Sequence, residues 1–553
     1  MELKNIENEV REYWETQEIK KKINEKLKEN KVLGYVEGPP TMNGDPHIGH
    51  IRGRIFKDLW YRFQILKGLN VVFRAGWDTQ GLPVELQAEK ELGLTGNKSE
   101  NLEKIGAEKL VATCKELINS YNKKWVEVDS LLGMSLDYKR SYWTYKDEYI
   151  EREWNYLKKA NERGLLDEGY RVVAFCPSCQ TSLSHAEVSQ GYETVEDPSV
   201  YFKMKLCDED AFLILWTTMP FTVITDQMVG VNPESDYCYI ENNSEKWIIA
   251  KERIKELLVE LEIENVKIIK TIKGKSLEGK KYIHPLINQI SGQAEIANEE
   301  NTHIVVSEEF VDISTGTGLV HMAPANGEED FEVAKRRNMK IFNPIDEKLN
   351  FTEDSGIFSG MFVRDADLKV IEELRKVEAL VKESKITHEY PTCWRTRHRL
   401  VWITKREYFY WVDRLKDLAV KAAEGVEYFY TPPKNRFLEM VKEKVPWCIS
   451  RDRIWGTPLP IWVCEDCKNK EYVFSRKEII EKAIELPDGE NFELHRPWID
   501  RIKLTCSKCN GIAHREKFVL DTWHNSGAAP YASFNDEEYN KIIPATFLTE
   551  GID

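Results

Sequence analysis

The chain has 553 residues, 42% hydrophobic and 31% charged, enough for three or more domains with cores of their own. No stretch approaches the uncharged apolar length that a membrane span needs. The net charge of −15 excludes a grip on nucleic acid by whole-surface attraction, though not local basic patches. The opening run MELKNIENEVREYWETQEIKKK predicts a charged helix with Tyr13 and Trp14 on its apolar side. It lacks the apolar stretch of a signal peptide, so the expected location is cytoplasmic.

Leu33–Glu37 (LGYVE) is short, apolar and β-prone. After it, Ile48, Ile51, Ile55, Leu59 and Phe63 recur at helical spacing until Gly68, which predicts an amphipathic helix. PPTMNGDPHIGH (39–50) is therefore a strand-to-helix loop with His47 and His50 in the first helical turn. A helix N-terminus carries unpaired N–H groups and the positive end of the dipole, and it attracts phosphate. Two imidazoles three residues apart add donors on one face, and Gly49 leaves room for a flat ring or ribose. H-x-x-H alone also suits half a metal site or a plain first-turn pair. Its place after Pro39-Pro40 and Asn43-Gly44 selects a nucleotide.

Residues 1–180 read as the opening half of a doubly wound, parallel-sheet α/β core of Rossmann-like type, with Cys176-Pro-Ser-Cys179 at its end. From 197 to 386 short β-rich runs replace long helices, which predicts an inserted domain. Within it, LWTTMPFTVITDQ supplies Thr217 and Thr218. GTGLVHMAPANGEED supplies His321 and Asp330. Hydroxyls, imidazole and carboxylate together can hold a ribose and an ammonium and orient a water. Residues 387–460 return to helical, aromatic texture, with KREYFYWVDRLK (405–416) read as an amphipathic helix. Cys464, Cys467, Cys506 and Cys509, two C-x-x-C pairs about forty residues apart, give the four thiolates of a zinc ribbon over 461–515. Residues 516–553 re-enter the core. Of the eleven cysteines, Cys114, Cys207, Cys238 and Cys448 stand alone and read as buried thiols.

EGPPTMNGDPHIGH and GWDTQGLPVE (76–85) together resemble the signatures of class I aminoacyl-tRNA synthetases, specifically the isoleucine enzymes, which typically read GPPTANGxPHIGH and GWDTHGLPVE. The two motifs of the insert resemble the editing domain of the isoleucine, valine and leucine enzymes. The resemblance implies ATP-dependent activation of isoleucine, its transfer to tRNA(Ile), and hydrolysis of mischarged Val-tRNA(Ile). The substrates would be isoleucine, tRNA(Ile) and ATP with Mg2+, the protein a cytoplasmic monomer, and no membrane would be involved. The alternatives are a valyl- or leucyl-tRNA synthetase, or a tRNA-binding or editing fragment that does not synthesise. The lysine loop of KMSKS type that such enzymes carry is not found, so the expectation is the N-terminal part of a longer synthetase.

Carried over by resemblance, His47 and His50 serve the ATP phosphates, and Asn43, Gly49, Glu550 and Gly551 contact ATP or the adenylate. Asp78 takes the substrate ammonium, while Pro39 and Trp523 wall the side-chain pocket. In the insert, Thr217 and Thr218 face the terminal adenosine and its water, His321 the ribose and side chain, and Asp330 the α-amino group. The editing motif departs from the usual WTTTPWTLPAN at Met219, Phe221 and Asp226. In zinc-bearing relatives the Cys176–Cys179 pair is completed by a CWRC block. Here that block is Cys393-Trp394-Arg395-Thr396, which leaves two readings: completion by His185 or His398, or no metal.

Overall fold

The computed structural model describes residues 3–95, 97–264, 266–428 and 431–547. Glu550 and Gly551 lie outside the described residues. The chain divides into two compact units: Met1–Glu168 with Glu407–Asp553, and Gly169–Arg406. The second starts earlier and ends later than the expected 197–386, because the long strands Tyr192–Leu206 and Leu380–Pro391 pair with each other and close it. The Cys176–Cys179 turn accordingly falls in the second unit.

In the first unit, parallel segments lie in an order that runs against the chain. Asp137–Trp143 pairs with Arg74–Trp77, Asn70–Val71 with Val32–Leu33, and Tyr35 with Phe547. The order thus steps back to the first strand and then jumps to a late segment, the switch point where open α/β sheets bind ligands. Among the described residues the expected doubly wound sheet takes the form of these short pairs.

The helix after the first strand is Ile48–Leu66, but its faces are the reverse of the sequence expectation. Ile48, Ile55, Leu59 and Phe63 are exposed, while Arg54, Asp58 and Tyr61 are buried. The inward face carries ions because partners wait there: Arg54 meets Glu37 at 2.9 Å and Asp129 at 3.5 Å, and Lys57 meets Glu37 at 2.9 Å. Paired charges can be buried where lone ones cannot.

The 405–416 stretch also differs from expectation. Val401–Tyr410 is a strand, since VWITKREYFY is rich in β-branched and aromatic residues that suit a pleated surface. Further on, an antiparallel five-stranded sheet runs Lys470–Tyr472, Ile461–Cys464, Ile512–Arg515, Lys503–Thr505, Ala483–Glu485, with Trp462 and Leu504 in its core.

The second unit is built on a seven-stranded sheet buried on both faces. Along Tyr192–Leu206, Val200, Phe202 and Met204 join one core and Tyr201 another; Tyr237 and Tyr239 alternate with Cys238 and Ile240 in the same way. That is the two-residue period of a strand covered on both sides. A smaller sheet of Met228–Val231, Ile304–Ser307 and Val320–Met322 carries His321. Of the lone cysteines, Cys114, Cys238 and Cys448 are buried, but Cys207 is exposed beside the acidic turn after Leu206. No helix among the described residues is long and apolar enough to cross a membrane.

Candidate active site and thiol clusters

His47 is the N-cap of the Ile48–Leu66 helix, and the two histidines take the place of the side chains that usually build a capping box. Gly49 N–H donates to His47 Nδ1 (3.2 Å), and His47 N–H donates to His50 Nδ1 (3.2 Å). An Nδ1 that accepts carries no proton, so the proton of each neutral ring sits on Nε2. The rings stack with centroids 3.7 Å apart, and His50 leans on Trp125 at 4.7 Å. Burial, then the neighbouring His47 and Arg54, lowers the pKa of His50 and favours the neutral ring. Two Nε2–H donors side by side suit an anion. They do not suit a cation, because the lone pairs a metal would need are already used.

A side chain on Gly49 would lie 3.0 Å from His47 Cε1, so the bare face of this glycine abuts an imidazole instead of open space. Trp125 Nε1–H donates to the Gly44 carbonyl (3.0 Å), which fixes the turn containing Asn43. Asp78 is held against the same loop: its N–H donates to Pro40 O (3.0 Å) and its carbonyl accepts from Met42 (2.8 Å). Loss of hydration pushes the buried Asp78 carboxyl up to about 7. The Thr144 hydroxyl at 3.3 Å and that of Thr41 at 3.5 Å offset this only in part.

Asp78 and Trp523 are 445 positions apart in the sequence, and close packing links their segments. Gly81, at φ 84°, has room for no side chain because a Cβ would lie 2.5 Å from Thr522 Cβ, and Thr522 Oγ1 donates to Gln80 O (3.1 Å). Buried atoms without a partner gather in these segments: Gln80 Oε1, Trp523 Nε1, His524 Nε2 and Asn525 Oδ1. Unpaired buried polar atoms cost free energy and mark a place where a ligand can repay it.

Sequence reasoning missed Thr144 and Glu153. Thr144 Oγ1 accepts from Thr79 N (2.9 Å) and its carbonyl accepts from Gln80 Nε2 (2.6 Å). Glu153 accepts from Thr457, His524 and Asn525. Neither sits in a recognisable motif.

Residues 9–553 match the family model described as tRNA synthetases class I (I, L, M and V). The chain belongs to the class I tRNA synthetases. It is 40% identical over 560 residues to the isoleucine–tRNA ligase of Methanocaldococcus jannaschii, covering 100% of this chain and 53% of that protein. It is 38% identical over 556 residues to that of Saccharolobus islandicus, covering 100% and 52%. Among solved structures, the Agrobacterium radiobacter K84 LeuRS–tRNA–LeuAMS ternary complex aligns at 16% identity and a TM-score of 0.41, covering 98% of this chain and 62% of that one. The chain spans about half the length of the curated relatives it matches.

The second unit of this synthetase chain holds the residues predicted in the insert. Thr217 ends the strand Phe212–Thr217, and its Oγ1 accepts from Met219 N (3.1 Å); Thr218 follows, half-buried. A 3-10 turn over Pro220–Thr225 brings Thr222 to His321 Nε2 at 3.1 Å. Asp330, in the first turn of Glu328–Arg336, accepts from Ala323 N (2.8 Å) through Oδ2. Loss of hydration pushes its carboxyl up to about 6, against the pull of that bond and of His321.

Two thiol clusters differ in completeness. Cys464, Cys467, Cys506 and Cys509 have all four sulfurs within 4.8 Å of one another, with Cys464–Cys509 at 3.5 Å and Cys467–Cys506 at 3.6 Å. A tetrahedral zinc with bonds of about 2.3 Å sets its sulfurs about 3.8 Å apart, so this set fits with little movement. Cys176, Cys179 and Cys393 form the other cluster. Neither His185 nor His398 joins it. The Thr396 hydroxyl occupies the fourth corner, 3.4 Å from Cys176 and 3.9 Å from Cys179, while the His398 carbonyl accepts from Cys393 N (2.7 Å).

Proposed function

We propose that this chain carries the amino-acid-activating core and the ester-hydrolysing insertion of an isoleucine–tRNA ligase. Isoleucine, ATP with Mg2+ and tRNA(Ile) are its substrates. The isoleucine carboxylate attacks the α-phosphorus and pyrophosphate leaves; a ribose hydroxyl at the tRNA terminus then takes the acyl group, and AMP leaves. The wiring of His47 and His50 carries this reading. With both Nδ1 atoms capped by backbone N–H groups, two stacked Nε2–H donors stand at a helix N-terminus, ready for the charge that builds on phosphate oxygens. Asp78 pairs with the substrate ammonium, and Pro39 with Trp523 bounds the side-chain pocket. Asn43, Gly49, Glu550 and Gly551 complete the adenylate contacts.

Residues 197–386 act as the editing domain, where Thr217, Thr218, His321 and Asp330 hold a mischarged valyl ester. One methylene lets a hydrophobic pocket separate isoleucine from valine only about 10–200-fold, a figure long established on isoleucine enzymes themselves. A second, hydrolytic pocket removes the remainder. Cys464, Cys467, Cys506 and Cys509 hold a structural zinc in the ribbon over 461–515, and the protein works as a cytoplasmic monomer. Pyrophosphate exchange by the protein carrying this chain is the direct test: isoleucine should support it well, valine weakly. Hydrolysis of Val-tRNA without any exchange would overturn the synthetic half of the proposal.

A further inference from the structure

His321 and His284 lie around Asp226 in the second unit, His303 packs beside His284 with ring centroids 5.6 Å apart, and hydrogen bonding constrains the protons of all three. Leu286 N–H donates to His284 Nδ1 (3.2 Å), so the His284 proton sits on Nε2 and goes to Val223 O (2.8 Å). Gln293 spends its amide nitrogen on the carbonyls of Ile224 (2.9 Å) and Asp226 (2.8 Å), so its oxygen accepts from His303 Nε2 at 2.8 Å. Burial lowers the pKa of both histidines, that of His303 to about 3, which keeps both neutral.

His321 is bonded differently. Its Nδ1 faces Asp226 Oδ2 at 3.2 Å, and the other Asp226 oxygen accepts from the Tyr282 hydroxyl at 2.5 Å. Its Nε2 faces Thr222 Oγ1 at 3.1 Å. Thr222 has a single hydroxyl proton, and a Met219 carbonyl 2.7 Å away takes it; that is the ordinary O–H···O length, whereas 3.1 Å suits N–H···O. Nε2 must therefore donate, and Nδ1 opposite a carboxylate must donate as well. On this pattern both ring nitrogens face acceptors.

We propose that Asp226 holds His321 as an imidazolium whose two protons are spent inside the protein, so that His321 serves the ester-hydrolysing pocket as a fixed positive charge and not as a proton acceptor for water. Asp226 is then a positioning residue. This rests on the editing role proposed for residues 197–386. The charge has a nearby use. Asp330 must be ionised to pair with an ammonium, and His321 is among the groups that pull its carboxyl down against burial, while Glu329 and Asp226 push it up. The groups facing the pair are Thr222, Tyr282, His284, Asp330 and the ring of Phe202, whose centroid is 5.9 Å from that of His321.

The test uses the chain labelled with nitrogen-15 histidine. Near pH 7 the His321 resonances, assigned by their loss in His321→Gln, should report two protonated nitrogens, and in Asp226→Asn one nitrogen should lose its proton. A bare nitrogen in the unaltered chain would overturn the proposal, as would a doubly protonated ring in Asp226→Asn. Thr222→Val, which removes the acceptor at Nε2 but leaves Asp226, should also weaken the doubly protonated state, and it serves if Asp226→Asn does not fold. The second arm is hydrolysis of Val-tRNA. In His321→Gln the contact with the ester is lost at every pH, and the loss of the His321 charge should add a further rise in KM that is larger near pH 6 than near pH 8, because Asp330 then keeps its proton to higher pH. A deficit equal at every pH would mean a purely structural role and overturn the proposal. If the unaltered chain fails to hydrolyse Val-tRNA, the editing reading falls, and the resonances still decide for or against the ion pair.

Discussion

Each compact unit holds histidine, a desolvated carboxylate and a set of thiols, and the two units build these parts differently. In the first, backbone N–H groups cap the Nδ1 atoms of His47 and His50 and leave both Nε2–H groups to act outward. In the second, Asp226 and Thr222 engage both nitrogens of His321. The partner of Nδ1 thus decides what an imidazole can offer. Burial raises both carboxylates and a backbone N–H draws each back. They differ in the remaining neighbours, since the Thr144 and Thr41 hydroxyls lower Asp78 while Glu153 raises it, and His321 lowers Asp330 while Glu329 and Asp226 raise it. The thiol sets differ by one atom, a fourth sulfur at Cys509 against the Thr396 hydroxyl.

The largest effect should come from the thiols. A ribbon with a small core takes much of its folding free energy from its ion, about 10–16 kcal/mol in isolated zinc fingers. Elemental analysis should find zinc bound through Cys464, Cys467, Cys506 and Cys509, and Cys464→Ser should lose it along with the cooperative melting of the ribbon. Thr396→Cys should raise the zinc content by about one equivalent, because it supplies the missing fourth thiolate. A metal-free, folded ribbon would erase the contrast between the clusters.

Next in size is the histidine loop. If both Nε2–H groups stabilise phosphate charge in the transition state, His47→Ala or His50→Ala should lower isoleucine activation by about 10²–10³, with little change in isoleucine KM. An unchanged rate would remove the distinction drawn between the outward-acting histidines and His321.

Which parts were legible in the sequence follows from how local their causes are. The histidine turn and the C-x-x-C pairs declare themselves because neighbouring residues suffice to specify them. The Ile48–Leu66 helix was misread in orientation because spacing reports that a stripe exists, while burial depends on Glu37 and Asp129 waiting on the other side for Arg54. Val401–Tyr410 was misread in type, since its cations masked a β-prone aromatic run. Thr144, Glu153 and the pairing of Asp226 with His321 could not be read at all, because each depends on a partner at least 60 positions away.

A moderate effect is expected at Asp330. Its pairing with a substrate ammonium is a charge-assisted bond of about 1.5–3 kcal/mol, so Asp330→Ala should slow hydrolysis of Val-tRNA by about 10–100-fold. Isoleucine activation should be untouched. A parallel fall in both activities would show that the units do not carry separate chemistry.

The smallest effect sharpens the comparison of the two carboxylates by titration. A carboxyl raised to about 7 at Asp78 loses its charge as pH falls through neutrality, while one raised to about 6 at Asp330 keeps most of it. The protonated form cannot pair with an ammonium, so in both cases affinity is present at higher pH and lost as pH falls. Between pH 8 and pH 6 the ionised fraction drops about tenfold for the first group and about twofold for the second. Isoleucine affinity, measured calorimetrically without ATP, should therefore weaken about tenfold across this interval with proton release on binding, while KM for Val-tRNA hydrolysis rises about twofold. Equal slopes would mean that burial and neighbouring groups do not set the two carboxylates apart, and the electrostatic half of the contrast would fall.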